Sequence, residues 1–101
     1  MNTAIFIIVD KGRADEVVQS AIKAGAKSAT IVKGRGIGVH EKKMLFALPI
    51  EPEKEIVLMI NKNYLIDQIV EQIRKDIRID EPAMGILFTI PISSSYGILE
   101  N

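Results

Sequence analysis

Val32-Lys33-Gly34-Arg35-Gly36-Ile37-Gly38 ends an apolar run and opens a long polar loop. Glycine adopts positive φ without a steric penalty and lets another backbone approach closely, so three alternating glycines predict a loop of unusual shape directly after a strand. The loop continues through the charged segment Val39-His40-Glu41-Lys42-Lys43, and the apolar pattern resumes at Met44. Because binding residues concentrate in loops on a rigid scaffold, we expect this mobile loop, about residues 36–48, to carry the function.

The composition is that of a single globular domain, residues 1–101. The chain is 48% hydrophobic and 26% charged, and its formal net charge is zero. This balance gives no electrostatic basis for general nucleic-acid binding. Cysteine is absent, which excludes disulfides and thiolate metal sites. The N-terminus lacks the basic start of a signal peptide, and no apolar run approaches the roughly 20 residues that cross a bilayer. We therefore expect a cytoplasmic protein without nucleic-acid partners or direct membrane insertion.

The apolar pattern on both sides of the loop predicts two strand–helix–strand units. The first has a strand at 3–9, a helix at 13–24 and a strand at 28–32, and the second has a strand at 55–60, a helix at 62–75 and a strand at 85–90. Asn61 is expected to cap the second helix, and the segment 44–50 is expected to form the far arm of a hairpin. Two such units predict an α+β, ferredoxin-like split βαβ fold (βαββαβ), with a four-stranded antiparallel sheet and two helices on one face.

Three of the predicted strands are apolar on both faces. In 5–9, 56–60 and 86–90, Thr89 is the one polar residue. The two helices cover one face of the sheet, so the second apolar face needs another cover, and closed cyclic assemblies are its usual source. We predict a homo-oligomer. The alternative is that the segment 44–50 and the C-terminal tail fold over the open face.

The side chains offer little catalytic chemistry. His40 is the one histidine, and the zincin-like start His40-Glu41 lacks the second histidine, so no metal site is predicted. The serines 93–95 have no second histidine to act as a base. The alternating glutamates 51, 53 and 55 are typical of a solvated strand edge and less often of a weak cation site. No catalytic residue is predicted, and we expect the protein not to be an enzyme.

The glycine stretch has two interpretations on these residues alone. It is not a dinucleotide fingerprint, because Val39 stands where the third glycine is needed and no helix follows. One interpretation is a backbone nest that binds an anion, with Lys33 and Arg35 beside it. The other is the tip of a mobile hairpin.

Five segments, in the right order along nearly the whole chain, resemble the PII nitrogen-regulatory signalling family. They are Asp15-Glu16-Val17, Val32-Lys33-Gly34-Arg35-Gly36, Leu48-Pro49, the strand 55–60 and Gly85-Ile86-Leu87-Phe88-Thr89-Ile90-Pro91-Ile92. The resemblance implies a ferredoxin-like homotrimer that binds ATP or ADP, and often 2-oxoglutarate, in clefts between subunits. It also implies control of a target enzyme or membrane transporter through the long loop.

The chain departs from the family pattern at the positions that hold phosphate. Ile37 and Gly38 replace a basic residue and a glutamine, and Ile86 stands where the family has a lysine. Residues 93–101 contain none of the family's paired arginines, and the loop 36–50 has no tyrosine, serine or threonine to be modified. Because a triphosphate needs cationic or backbone donors, we expect a divergent member whose affinity for ATP is much weaker than the family norm. The alternative is that no nucleotide binds and the fold is kept for its loop alone.

The resemblance implies a nucleotide or anion site between subunits, with two walls from the same end of the sheet. These residues are Lys33, Gly34, Arg35, Gly36, Ile37 and Gly38 in one wall, and Ala83, Met84, Gly85 and Ile86 in the other. The partner-binding loop is Val39, His40, Glu41, Lys42 and Lys43. The alternative function is a trimeric ferredoxin-like binding protein of the divalent-cation-tolerance type.

Overall fold

The computed structural model describes residues 1–37, 43–45, 48–50 and 52–98. Its elements are β1 (Asn2–Asp10), α1 (Ala14–Lys23), β2 (Thr30–Arg35), β3 (Lys43–Leu45), β4 (Leu48–Ile50), β5 (Glu53–Lys62), α2 (Asn63–Ile77) and β6 (Ile86–Ile92). The main sheet has the strand order β2-β5-β1-β6, and every neighbouring pair is antiparallel. This is the ferredoxin-like arrangement that the sequence predicts.

The core lies between the sheet and the two helices. Ile5 and Ile7 of β1 are fully buried, as are Val57 of β5 and Ile69 of α2. These side chains alternate along the strands and recur at helical spacing along α2, so each element buries one face. The remaining members of the same cluster are Val9, Ala14, Val17, Ala21, Ala26, Met59, Ile73, Ile77 and Ile79.

The second face of the sheet is apolar and open, as the strand pattern predicts. Val32, Ile86, Phe88 and Ile90 lie on it, and they are 40–59% exposed. β3 and β4 pair with each other in a separate two-stranded sheet. The described parts of the chain therefore leave these four side chains accessible, and the uncovered area is concentrated on β6 and β2, the two edge strands.

Asp76 ties the two helices together on the outer face. Its Oδ2 accepts hydrogen bonds from Gln72 Nε2 (2.9 Å) and Ser20 Oγ (2.9 Å), and it lies 3.1 Å from Lys23 Nζ. The amide of Gln72, the hydroxyl of Ser20 and the ammonium of Lys23 lower the pKa of Asp76 from 3.8 to about 2. Since Ser20 and Lys23 belong to α1, the ionised carboxylate holds α1 against α2.

Two local predictions are wrong. Asn61 does not cap α2, because β5 continues to Lys62 and the register places Asn61 opposite Thr3 inside the sheet. The N-cap position falls on Lys62, which makes no side-chain capping bond, and α2 runs on to Ile77. The prediction that 44–50 forms the far arm of a hairpin is also wrong, since its described residues lie in two short strands, β3 and β4, that pair with each other.

No helix in the described ranges is long and apolar enough to cross a membrane.

Candidate functional site

The glycine stretch is mostly strand and not loop. β2 continues through Gly34 to Arg35, paired with Lys54 and Glu53 of β5, and the amide of Gly36 donates to the carbonyl of Pro52 (3.1 Å). Neither Gly34 nor Gly36 has a positive φ. The prediction that the strand ends at Val32 is therefore wrong, because pairing with β5 carries the ladder past Gly34 to Arg35.

Lys33 and Arg35 lie on the helix-facing side of the sheet, opposite acidic partners. The register pairs Lys33 with Glu55 and Arg35 with Glu53, and directly opposite residues share a face. The pKa of Glu53 is lowered, chiefly by Lys11 and to a smaller extent by Arg35 and Lys33. Each cation of the first predicted wall thus faces a carboxylate that already balances part of its charge.

The second predicted wall is a tight turn that joins α2 to β6. Ala83 has φ +63° and Gly85 has φ +135°. A Cβ atom on Gly85 would lie 2.5 Å from the carbonyl oxygen of Ile8, which is closer than real Cβ contacts come. Glycine is therefore required here both by the backbone conformation and by the close approach to β1. Met84 precedes it in the turn, and Ile86 is the first residue of β6.

The two walls lie at the same end of the sheet but at opposite edges. Arg35 ends β2 beside Glu53, and Ile86 begins β6 beside Ile8, near the end of β1. Because β5 and β1 stand between β2 and β6, the edges are separated by three strand spacings, or roughly 14 Å. Within one chain the walls do not face each other, so a ligand that touches both kinds of wall requires a second subunit.

Charged side chains connect the elements at this end. Lys11 Nζ lies 2.8 Å from Glu53 Oε2, and Lys54 Nζ lies 2.6 Å from Asp10 Oδ1. Glu55 Oε1 accepts the backbone amides of Gly12 (2.8 Å) and Ala14 (3.0 Å).

These contacts shift the ionisation of the groups involved. The hydrogen bond with Glu53 raises the pKa of Lys11, and the amides of Ala14 and Gly12 lower the pKa of Glu55. The sequence predicts that the alternating glutamates form a solvated strand edge. In the structure, Glu55 instead accepts backbone amides at the start of α1.

The predicted partner-binding loop lies largely outside the described residues. Gly38, Val39, His40, Glu41 and Lys42 belong to that part of the chain, so the predictions of mobility and of partner contact stay predictions. Lys43 is the first residue of β3. Ile37, which precedes the loop, is 47% exposed.

A cavity at the opposite end of the sheet was not indicated by the sequence. It has a volume of about 520 Å³ and lies where β2 begins and β5 ends. Lys27, Lys62 and Tyr64 line it, together with Asn61, whose buried Nδ2 has no hydrogen-bond partner in the described part of the chain. Its lining comes from segments far apart in sequence, so no local motif could reveal it.

Across the described ranges, no group of three or more histidine, cysteine, aspartate or glutamate side chains is arranged to hold a metal ion.

Comparison with known proteins identifies the family. A search of curated proteins finds no match. Among solved structures, the chain is similar to one described as the structure of B. subtilis GlnK, with a TM-score of 0.67, 19% sequence identity, and coverage of 91% of this chain and 85% of that one. At this identity the likeness shows the fold. The family model for nitrogen regulatory protein P-II matches residues 2–100, almost the whole chain. The chain therefore belongs to the P-II family of nitrogen regulatory proteins.

Proposed function

We propose that this chain is a non-catalytic signal-transduction regulator of the PII type that works as a homotrimer. It controls a target enzyme or membrane transporter through the segment 36–48, and it responds to a nucleotide or another small anion bound between subunits. The observation that carries the proposal is the match of the P-II family model over residues 2–100. That match favours this function over the divalent-cation-tolerance type of binding protein.

The open face of the sheet supports the assembly. Ile86, Phe88 and Ile90 lie in a row on β6, and Val32 lies on the opposite edge strand. Leaving such a contiguous apolar area in water is unfavourable, and burying it contributes about 25 cal/mol per Å². In a closed trimer, the open face of each of the three subunits packs on its neighbours and is removed from water.

The roughly 14 Å between the two walls supports a ligand site shared between subunits. In a closed assembly the β2 edge of one subunit can approach a neighbour, which supplies the missing wall. The nitrogen-regulatory role then follows from the family, and the segment 36–48 begins directly after β2, which ends beside the proposed ligand site.

The charges at this end support weak binding of a triphosphate. Lys33 and Arg35 face Glu55 and Glu53, and the amide of Gly36 is already used by Pro52. Charge-assisted hydrogen bonds are roughly twice as strong as neutral ones, so the absence of a lysine at Ile86 removes a strong donor. We therefore expect ATP to bind much more weakly than it does at a family site that keeps its full set of cations.

Native mass spectrometry with ATP, ADP and AMP tests stoichiometry and ligand together. We expect a trimer mass and weak, saturable binding of up to three nucleotides. Calorimetry then compares wild type with Lys33→Ala and Arg35→Ala, and Lys27→Ala is the matched control because Lys27 lies at the other end of the sheet. Tight ATP binding that survives Lys33→Ala and Arg35→Ala but not Lys27→Ala would move the site to the cavity.

A further inference from the structure

Arg13 connects three separate elements through one side chain. Its Nη1 donates to the carbonyl oxygen of Met84 (3.1 Å), its Nη2 donates to the carbonyl oxygen of Ile77 (3.3 Å), and its Nε pairs with Glu16 Oε1 (2.7 Å). The Arg13 side chain is 24% exposed, so these bonds are partly shielded from water. The planar guanidinium suits this role because it holds several donors in a fixed fork.

The two carbonyls that Arg13 binds stand at the two ends of the turn 78–85. Ile77 is the last residue of α2, and its carbonyl is one of the groups that a helix end leaves without a partner. Met84 directly precedes Gly85, the residue that packs against β1. Arg13 therefore fixes the turn both where it begins and where it ends.

Between these points Ile79 is buried in the core, and Asp80 forms an ion pair with Arg74 of α2 (3.0 Å). The amide of Glu81 donates to Arg78 (3.0 Å) and the amide of Met84 donates to Glu81 (3.3 Å). Arg78 and Ala83 both have positive φ, a backbone conformation that is unfavourable for residues other than glycine. A conformation of this kind persists only when the surroundings hold it, and Arg13, the N-cap residue of α1, contacts the turn near both of its ends.

Glu55 holds the segment from which Arg13 projects. Its carboxylate accepts the amides of Gly12 and Ala14, the residues on either side of Arg13. Glu55 lies opposite Lys33 of β2. A continuous set of contacts thus runs from β2, through Glu55 and Arg13, to the turn at the other edge of the sheet.

We propose that Arg13 is the positioning residue of the turn 78–85, and that its bridge to Met84 and Ile77 sets the shape of the wall that this turn presents to a neighbouring subunit. The effect on a ligand rests on the proposed function, whereas the effect on the turn does not. The sequence places Arg13 merely at the start of a helix, because its two carbonyl partners lie more than 60 residues away.

Amide hydrogen exchange measured by NMR in the ligand-free protein tests the proposal. In Arg13→Gln we expect the amides of Glu81 and Met84 to exchange about tenfold faster, since hydrogen bonds from a charged donor are lost. The amide of Ile7, in the buried centre of β1, should keep its rate. Lys11→Gln is the matched control. It also removes one positive charge, two residues before Arg13, but the Lys11 side chain pairs with Glu53.

Arg13→Lys keeps the charge but cannot bridge both carbonyls and Glu16 at once, so we expect intermediate exchange rates. If Arg13→Gln does not fold, the same comparison is made with Arg13→Lys. The proposal is overturned if Glu81 and Met84 exchange no faster than in Lys11→Gln, or if Ile7 accelerates by the same factor, which would indicate general destabilisation. ATP titration of the wild-type protein separates the two proposals. If ATP does not bind, the ligand part of the proposed function is overturned. The role of Arg13 is still decided by the amide exchange rates in Arg13→Gln and Lys11→Gln.

Discussion

Phe6 and Phe88 stack on the open face of the sheet, with ring centroids 5.0 Å apart and 3° between the ring planes. They are direct partners in the pairing of β1 with β6. Phe88 remains 40% exposed although it is stacked, so the described part of the chain leaves one side of the pair uncovered. The pair lies beside Ile86 and Ile90, and these four side chains form a contiguous apolar part of the proposed subunit interface.

Ile90→Asp should convert the proposed trimer to monomers. Ile90 is 45% exposed in the single chain, so the substitution costs the monomer little, but it places an unpaired charge inside the assembly. Sedimentation equilibrium at micromolar concentration measures the mass. Ile22→Asp is the matched control, since Ile22 is also isoleucine, is 50% exposed and lies on α1. A monomer mass for wild type, or an unchanged trimer in Ile90→Asp, would contradict the assignment of this face.

Gly85→Ala should destabilise the fold by about 2 kcal/mol or more, because it combines a positive φ with a clash against the carbonyl of Ile8. Gly12→Ala separates the two effects. Gly12 also has a positive φ (+93°), but a Cβ there would meet nothing within 4 Å. Urea unfolding of both variants gives the difference, and equal losses would show that the turn can move away from β1.

Lowering the pH should weaken the contact between α1 and α2 through Asp76. The pKa of this carboxyl is lowered from 3.8 to about 2 in the folded chain. Its contribution is therefore fully present above about pH 4 and is lost as the pH falls towards 2. Urea unfolding between pH 6 and pH 2 should show a smaller pH dependence for Asp76→Asn than for wild type. Parallel curves for the two proteins would mean that Asp76 does not contribute.

Glu55→Gln should loosen the start of α1 and lower Tm by about 2–5 °C. The carboxylate accepts the amides of Ala14 and Gly12, which lower its pKa, and a neutral amide oxygen accepts them less strongly. Because the folded pKa is lowered, the contribution is present at neutral pH and is lost in acid. Thermal unfolding at pH 7 measures the shift. Glu81→Gln is the control, since its carboxylate pairs with Arg78 on the surface and accepts no helix amide.

The apolar periodicity of the chain determined its fold. Strands such as Ile5–Val9 alternate a buried and an open face, and α2 repeats its apolar residues at helical spacing. Such patterns are local, so one chain is enough to predict a four-stranded sheet with two helices on one face. The same pattern indicated the open face, because the sequence had too few helices to cover both sides.

Tertiary structure decided the contacts that join distant segments. The sequence predicts Gly34 in a loop, but Gly34 pairs with β5 in the sheet. It predicts Asn61 as a helix cap, but Asn61 pairs with β1 because β5 continues beyond it. Glu55 and Arg13 gain their roles only when the end of β5, the start of α1 and the turn 78–85 meet at one end of the sheet. Periodicity reports which face of an element is buried, but a hydrogen bond between residues 40 to 70 positions apart depends on the packing of whole elements, which no local pattern encodes.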